Sequence, residues 1–309
     1  MSQSQSIKKI EPYTPSSKEI RFWQRKSVRN TVHAVLVYSL LIGIGILIMM
    51  PLSWMLTAAL RGQGEPVYTI PTAWFPTQSF HFENFWTVLT NENYPLWRPA
   101  LNTMMLIVLN VTGVLISNTL VAYAFARLDF PYKEFLFKLV ILSMLMPGVV
   151  LFIPSFLLFN ALGWYGTYLP LWVGSFFGNS FYIFITRQYM RSFPKDLDEA
   201  ALIDGASRFG IYWRIILPLS TPVMTLMAVF TFLDVWNEFT GPLIYLNDPS
   251  KFTIAIALNY YRQSLFSGAE PTTNLVMAGA LMSVIPVLIL YFLSQEQLIG
   301  GIASVGLKG

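Results

Sequence analysis

The sequence predicts an all-α membrane protein. Of its 309 residues, 54% are hydrophobic and only 12% charged, against about 25% charged in an ordinary soluble domain. Six stretches reach the roughly 20 mostly apolar residues that carry a helix across about 30 Å of hydrocarbon. No stretch shows the apolar–polar alternation of a barrel strand, and lipid admits only helices or closed barrels, because every backbone amide must be paired inside the protein. A bundle of six transmembrane helices follows.

The elements run in this order. Residues 1–31 form a tail rich in Ser, Gln and Lys, with too little apolar surface to repay ordering. The first span occupies 32–57, with its apolar run from Val32 to Leu56. It is longer than the roughly 7–15-residue core of a secretory signal, so it is expected to stay as an anchor. Residues 58–98 make a long outer loop whose prolines and whose Trp74, Trp86 and Trp97 suit a partly folded cap or an interfacial belt. Residues 99–294 hold the other five helices, at Ala100–Tyr123, Phe135–Leu158, Tyr168–Thr186, Pro218–Leu243 and Leu275–Leu293, and 295–309 is a short tail. Pro147, Pro154 and Pro222 are expected to kink or break their helices.

Orientation follows from Lys and Arg, which are retained on the cytoplasmic side. The N-terminal tail carries Lys8, Lys9, Lys18, Arg21, Arg25, Lys26 and Arg29; the second connection has Arg127 and Lys133, and the fourth has Arg187, Arg191, Lys195, Arg208 and Arg214. Alternate connections are poorer, so both termini are expected in the cytoplasm. The net charge of +4 is then a topology signal, with attraction to anionic lipid as a secondary effect. It does not call for nucleic acid.

Several chemistries are missing. Without cysteine there are no disulfides or thiolate sites. No G-x-x-x-x-G-K-[ST] loop is present to cradle a nucleotide, and no G-x-S-x-G elbow. His33 and His81, the only histidines, make neither a metal pair nor a triad. The expectation is a protein that is not an enzyme, with no catalytic residue, metal or cofactor of its own. No internal repeat is evident, unlike many secondary carriers.

One polar stretch, at about 194–218, separates the fourth and fifth spans. Pro194 suits a first helical turn, and Asp196, Asp198 and Glu199 put negative charge at the positive end of a helix. Ala200, Ala201 and Leu202 continue it, Gly205 suits a left-handed terminator, and Ser207 suits the cap of a second helix running through Trp213 to Leu217. Pro218 would mark entry into the fifth span. Surface helices on lipid need large apolar faces; this one offers alanines, which permit close approach to another protein.

These residues also carry a family resemblance. Glu199-Ala200-Ala201, Asp204-Gly205-Ala206, then Ile216-Leu217-Pro218 and Pro222 match the pattern E-A-A-x-x-D-G-A with I-x-L-P-x-x-x-P, and resemble the EAA loop of ABC importer permeases. "FARLDFPYK", "MLMPGVVLFIPSF", "DVWNEFTGPLIYL" and "GGIASVGLKG" are similar to the MalG-type subunits of sugar importers, so that the resemblance covers about Asn84 to the C-terminus. It implies a type I ABC importer permease fold. It also implies a homologous MalF-type permease, two ABC ATPase subunits that bind and hydrolyse ATP, an extracytoplasmic binding protein, a carbohydrate or polyol cargo, and residence in a bacterial or archaeal cell membrane. On that resemblance Glu199, Ala200, Ala201, Asp204, Gly205, Ala206, Leu217 and Pro218 couple to the ATPase. Tyr260, Tyr261 and Arg262 resemble a loop that probes the binding protein, and the terminal Lys308-Gly309 a tail that reaches the ATPase. Gln295-Glu296 departs from a Gln-Arg pair frequent in the family.

Within the spans, Asn102, Asn110, Asn118, Asn160, Asn179, Asp234, Asn237 and Glu238 stand out, since polar groups at membrane depth face the bundle interior or a cavity. Interhelical hydrogen bonds of about 0.6 kcal/mol each account for asparagines equally well. Asn118, Asp234, Asn237 and Glu238 are the candidates for lining a pathway. Asp234 and Glu238, four apart, would share a helical face. As the coupling carboxylates of a stand-alone ion-driven carrier, they define the alternative function.

Overall fold

The computed structural model describes residues 26–62, 64–65, 74–91, 95–264 and 273–306. The expectations for the N-terminal tail before residue 26 and for Lys308 and Gly309 lie outside these residues. Contacts divide the chain into two units, Met1–Ser53 and Trp54–Gly309.

In the first unit, the described residues belong to α1 (Lys26–Ala59), which continues into the second. It starts six residues before the expected Val32 and keeps Pro51 within it. Its sequence is apolar on every face, which suits lipid surroundings.

All the regular secondary structure among the second unit's described residues is helical. In chain order come α2 (Glu83–Thr90), α3 (Trp97–Arg127), α4 (Lys133–Met144), α5 (Gly148–Ala161), α6 (Leu169–Trp172), α7 (Ser180–Arg191), α8 (Asp196–Ile203), α9 (Arg208–Ile211), α10 (Leu217–Leu219), α11 (Thr221–Asn237), α12 (Thr240–Tyr245), α13 (Ile254–Ser264) and α14 (Thr273–Gly306). Segments 30–59, 97–127, 169–191 and 273–296 are each long and apolar enough to cross a membrane. Two bent pairs raise the number to as many as six.

The bends correct the expected spans. The third window is not one helix: α4 and α5 meet at 97°. Pro147 stands between them in an extended conformation (ψ 127°), because proline offers no amide hydrogen and disfavours helix in the residue before it. Pro154 sits inside α5 without ending it. In the fourth window α6 passes through a 3₁₀ turn, Val173–Phe177, to Gly178 (φ 87°). Asn179 then caps α7, its side chain accepting from the amides of Phe181 and Tyr182. The fifth window ends early, at Asn237, and Glu238 is extended (ψ 119°) before α12. Glu238 thus stands one residue past the end of α11, with its charge still acting on Asp234.

Helix α3 is the hub, packing most extensively against α7 and α11. Its asparagines face neighbouring backbone. Asn102 donates to the carbonyls of Ser250 (2.9 Å) and Phe252 (3.1 Å), and Asn110 to Leu171 O (3.0 Å). Gly113 lets the 3₁₀ turn cross over α3, since a Cβ there would collide with Ser175 and Phe176. Trp236 ties α11 to α14 through a 3.0 Å bond from Nε1 to Ser283 O.

A polar knot organises the segment between α1 and α2. Asn84 Nδ2 donates to Ala59 O and Arg61 O, both at 2.8 Å, and Asn274 Nδ2 to Arg61 O at 3.0 Å. Buried Glu65 accepts from Thr77 N (2.6 Å), Thr77 Oγ1 (2.8 Å) and Gly62 N (3.2 Å). Burial pushes its carboxyl up, but these bonds and the Arg61 charge outweigh that and hold it below the usual value.

Candidate functional site: the α8–α11 elbow

The polar stretch folds as a helix–glycine–helix elbow. Helix α8 starts at Asp196, so Pro194 lies just outside it, and Asp196, Asp198 and Glu199 fill its first turn. Asp204 ends it, and Gly205 reverses the chain at φ +82°. The Ala206 amide closes back onto Ala201 O at 2.9 Å, satisfying a carbonyl at the helix end. A Cβ at Gly205 would meet open space, so the requirement for glycine there is conformational. Ser207 accepts from Gly210 N at 3.1 Å and caps the second limb, as expected.

That limb is α9, a π-helical turn at Tyr212–Ile216, and α10. The wide turn lies just before Pro218, whose ring cannot join a regular α ladder. The fifth span's helix, α11, starts at Thr221, three residues later than the expected Pro218. The chain bends by 73° between Leu219 and Thr221, with Ser220 Oγ donating to Ile216 O at 2.7 Å.

The two faces of the elbow differ. Ala201 is buried with Ala122, Tyr123, Met190, Ile211, Tyr212 and Ile216. It packs inward, which corrects its reading as part of an open docking surface. Glu199, Ala200, Asp204 and Gly205 are exposed, Ala206 and Leu217 half-buried, and Pro218 exposed. The outward face also carries Ile203, 87% exposed, with Phe209 at 64% and Trp213 at 60%. The rings of Phe209 and Trp213 stack at 6.5 Å. Sequence reasoning passed over these three, though Phe209 and Trp213 have the i, i+4 spacing of one helical face.

The inward face is fastened to α3 by a ladder of side chains four residues apart. Thr119 Oγ1 and Tyr212 Oη share a hydrogen bond of 2.9 Å. Tyr123 Oη donates to Arg208 O at 2.9 Å, and Arg127 pairs with Asp198 at 2.9 Å while donating to Phe193 O at 3.0 Å. The Tyr123 and Tyr212 rings lie 5.2 Å apart. A residue and its i+4 neighbour lie on one helix face, so this face of α3 meets both limbs of the elbow. The sequence signal was that spacing, hidden because Arg127 reads as a topology charge and the others as span residues.

The remaining candidates are scattered. Asn118 is fully buried, donating to Val114 O and accepting from Asn179 N, both at 2.7 Å. Asp234, Asn237 and Glu238 are exposed; Asn237 donates to Leu233 O at 2.8 Å, and Glu238 caps α12 by accepting from Gly241 N at 2.7 Å. Tyr260, Tyr261 and Arg262 lie in α13. Tyr261 is buried in the core cluster with Val88 and Trp236, its hydroxyl pushed up to about 12 by desolvation. Tyr260, stacked on Phe252 at 5.0 Å, and Arg262 are the exposed pair. No group of three His, Cys, Asp or Glu positioned for a metal occurs among the described residues.

An all-helical unit with broken apolar spans fits a multi-pass membrane protein, and known proteins agree. Residues 118–302 match the model of the family described as binding-protein-dependent transport system inner membrane component. The chain belongs to that family, the membrane permeases of ABC importers, and is a transporter subunit rather than an enzyme. It is 30% identical to the arabinooligosaccharides transport system permease protein AraQ of Halalkalibacterium halodurans, over 91% of this chain and 100% of that one. It is 31% identical to the probable starch degradation products transport system permease protein AmyC of Thermoanaerobacterium thermosulfurigenes, over 75% and 82%. A chain from the crystal structure of a bacterial ABC transporter that imports alginate superposes with a TM-score of 0.74 at 20% identity, covering 87% of this chain and 98% of that one. Membership sets aside the stand-alone ion-driven carrier.

Proposed function

We propose that the chain forms half of the translocation pathway of a carbohydrate importer, with cargo delivered by an extracytoplasmic binding protein. A homologous permease supplies the other half, and two ATPase subunits hydrolyse ATP. Six spans, with both bent pairs counted as spans, and both termini in the cytoplasm put the elbow at 194–218 on the ATPase side of a bacterial or archaeal inner membrane. Relatives named for arabinooligosaccharides and starch degradation products support an oligosaccharide cargo.

The observation that carries the reading is the two-faced elbow. Its outward side offers Ile203, Phe209 and Trp213 beside the Glu199-Ala200 and Asp204-Gly205-Ala206 positions; its inward side is held by Thr119, Tyr123 and Arg127. When the ATPase dimer closes on ATP, a displacement of α8 passes to α11 through the chain and to α3 through the ladder. Since α3 also packs on α7, the motion reaches the bundle centre. Asp234, Asn237, Glu238 and Asn118 remain the candidates for the cargo path, and Tyr260 and Arg262, more than buried Tyr261, for contact with the binding protein.

The test is reconstitution of the chain with its second permease, ATPases and binding protein. Wild type is expected to couple ATP hydrolysis to oligosaccharide uptake, and Gly205→Asp or Glu199→Lys to insert normally and transport nothing. Uptake unaffected by both substitutions would refute the reading.

A further inference from the structure

Arg187, near the end of α7, reads in the sequence as a charge that sets orientation, yet it is only 5% exposed. A charge that only fixes topology can stay in water; a buried one needs partners. Its counter-ion does not supply them. Glu134 Oε1 lies 3.8 Å from Arg187 Nη2 on a side chain 74% exposed, and a pair so open to solvent is worth little. The guanidinium carbon instead lies 3.8 Å from the centre of the Phe137 ring, and Nε donates to Phe125 O at 3.2 Å. Both kinds of contact gain strength away from water.

These partners sit on different helices. Phe125 O is one of the last carbonyls of α3, at the negative end of its dipole, where a cation is favoured. Phe137 belongs to α4 and is buried with Phe125 and Ile183. The main packing partner of α4 is α7, and the two are joined again at the far end, where the hydroxyls of Ser143 and Ser180 meet. One turn beyond Arg187, Met190 is buried in the cluster that holds the elbow. The same end of α7 therefore touches both the elbow and α4.

We propose that Arg187 is a positioning residue for transport: it makes α4 follow α3 and α7 when the elbow moves. The outer half of the bent pair is held elsewhere, since Phe156 and Phe159 of α5 pack on Tyr245 of α12, with ring centres 6.0 and 5.7 Å away. Displacement of α4 against α5 then falls on the break before Pro147, where the two helices meet at 97°. The proposal rests on the transport reading above and adds the third span to the parts that ATP moves.

The test uses the assembled transporter in liposomes. The chain has no cysteine, so Lys138→Cys on α4 and Leu157→Cys on α5, both exposed positions, can carry spin labels in combination with cysteine-free partners. The distance between the labels is compared without nucleotide and with ATP trapped. It should shift in wild type and in Arg187→Lys, which keeps a cation over the ring. In Arg187→Met the shift should vanish while hydrolysis continues, with uptake per ATP lowered about fivefold or more. Phe137→Leu should behave like Arg187→Met, and Phe184→Leu, which alters a ring stacked on Phe137, like wild type. Should Arg187→Met fail to assemble, the two phenylalanine variants decide. An unchanged shift and ratio in Arg187→Met, or equal losses in both phenylalanine variants, would reduce Arg187 to packing and overturn the proposal. A wild type that transports with no shift would overturn it alone, whereas a wild type that takes up no oligosaccharide would overturn the transport reading with it.

Discussion

Arg127, at the end of α3, and Asp198, in the first turn of α8, form an ion pair of 2.9 Å with side chains 4% and 13% exposed. Residues 71 positions apart in sequence thus fasten the elbow to the central helix. Removing one partner of a buried pair costs about 3–5 kcal/mol, and the partial exposure of Asp198 puts the loss for Arg127→Met nearer the lower end, about 2–3 kcal/mol. Thermal unfolding of the detergent-purified chain checks this. A charge exchange, Arg127→Asp with Asp198→Arg, should recover part of the loss.

The reversal at Gly205 depends on backbone conformation alone. With open space around it, Gly205→Ala suffers only the left-handed penalty, about 1–2 kcal/mol, and Gly205→Asn less, because asparagine tolerates that region. Uptake by the assembled transporter should rank wild type, then Asn, then Ala. An alanine variant as active as wild type would remove the reason for glycine there.

Ile203 is too exposed to matter for folding, so Ile203→Asp should change stability by no more than about 0.5 kcal/mol. Its expected effect is on association. Co-purification of the ATPase subunits should fall sharply for Ile203→Asp, and for Phe209→Ala with Trp213→Ala, while membrane insertion stays normal.

Glu65 sets a pH limit on the polar knot near α2. Its folded carboxyl lies below the unfolded value near 4.5, so its contribution to stability is fully present above that pH and is lost as pH falls through the folded value. The stability difference between wild type and Glu65→Gln should be constant at neutral pH and shrink as the pH drops below about 4.5. Chemical denaturation across that window measures it.

The helical class and the elbow were legible in the sequence because each has a local cause. Apolar run length predicts spans, and acids before alanines, a glycine and a capping serine predict α8, Gly205 and Ser207 in their observed roles. The failures share a different cause. Whether Pro147 breaks a helix and Pro154 does not, and which way Ala201 and Tyr261 face, are settled by packing partners far along the chain. The ladder from α3 was invisible for the same reason: Thr119, Tyr123 and Arg127 show their function only once α8 and α9 lie against them.

The central claim is that ATP-driven movement of the elbow reaches the bundle through α3. The most direct measurement is the ratio of oligosaccharide taken up to ATP hydrolysed, in the same proteoliposomes, for wild type and Arg127→Met. The account predicts continued hydrolysis with uptake per ATP reduced about tenfold, within the roughly 5–150-fold range of coupling energies. An unchanged ratio in a correctly assembled variant would contradict it.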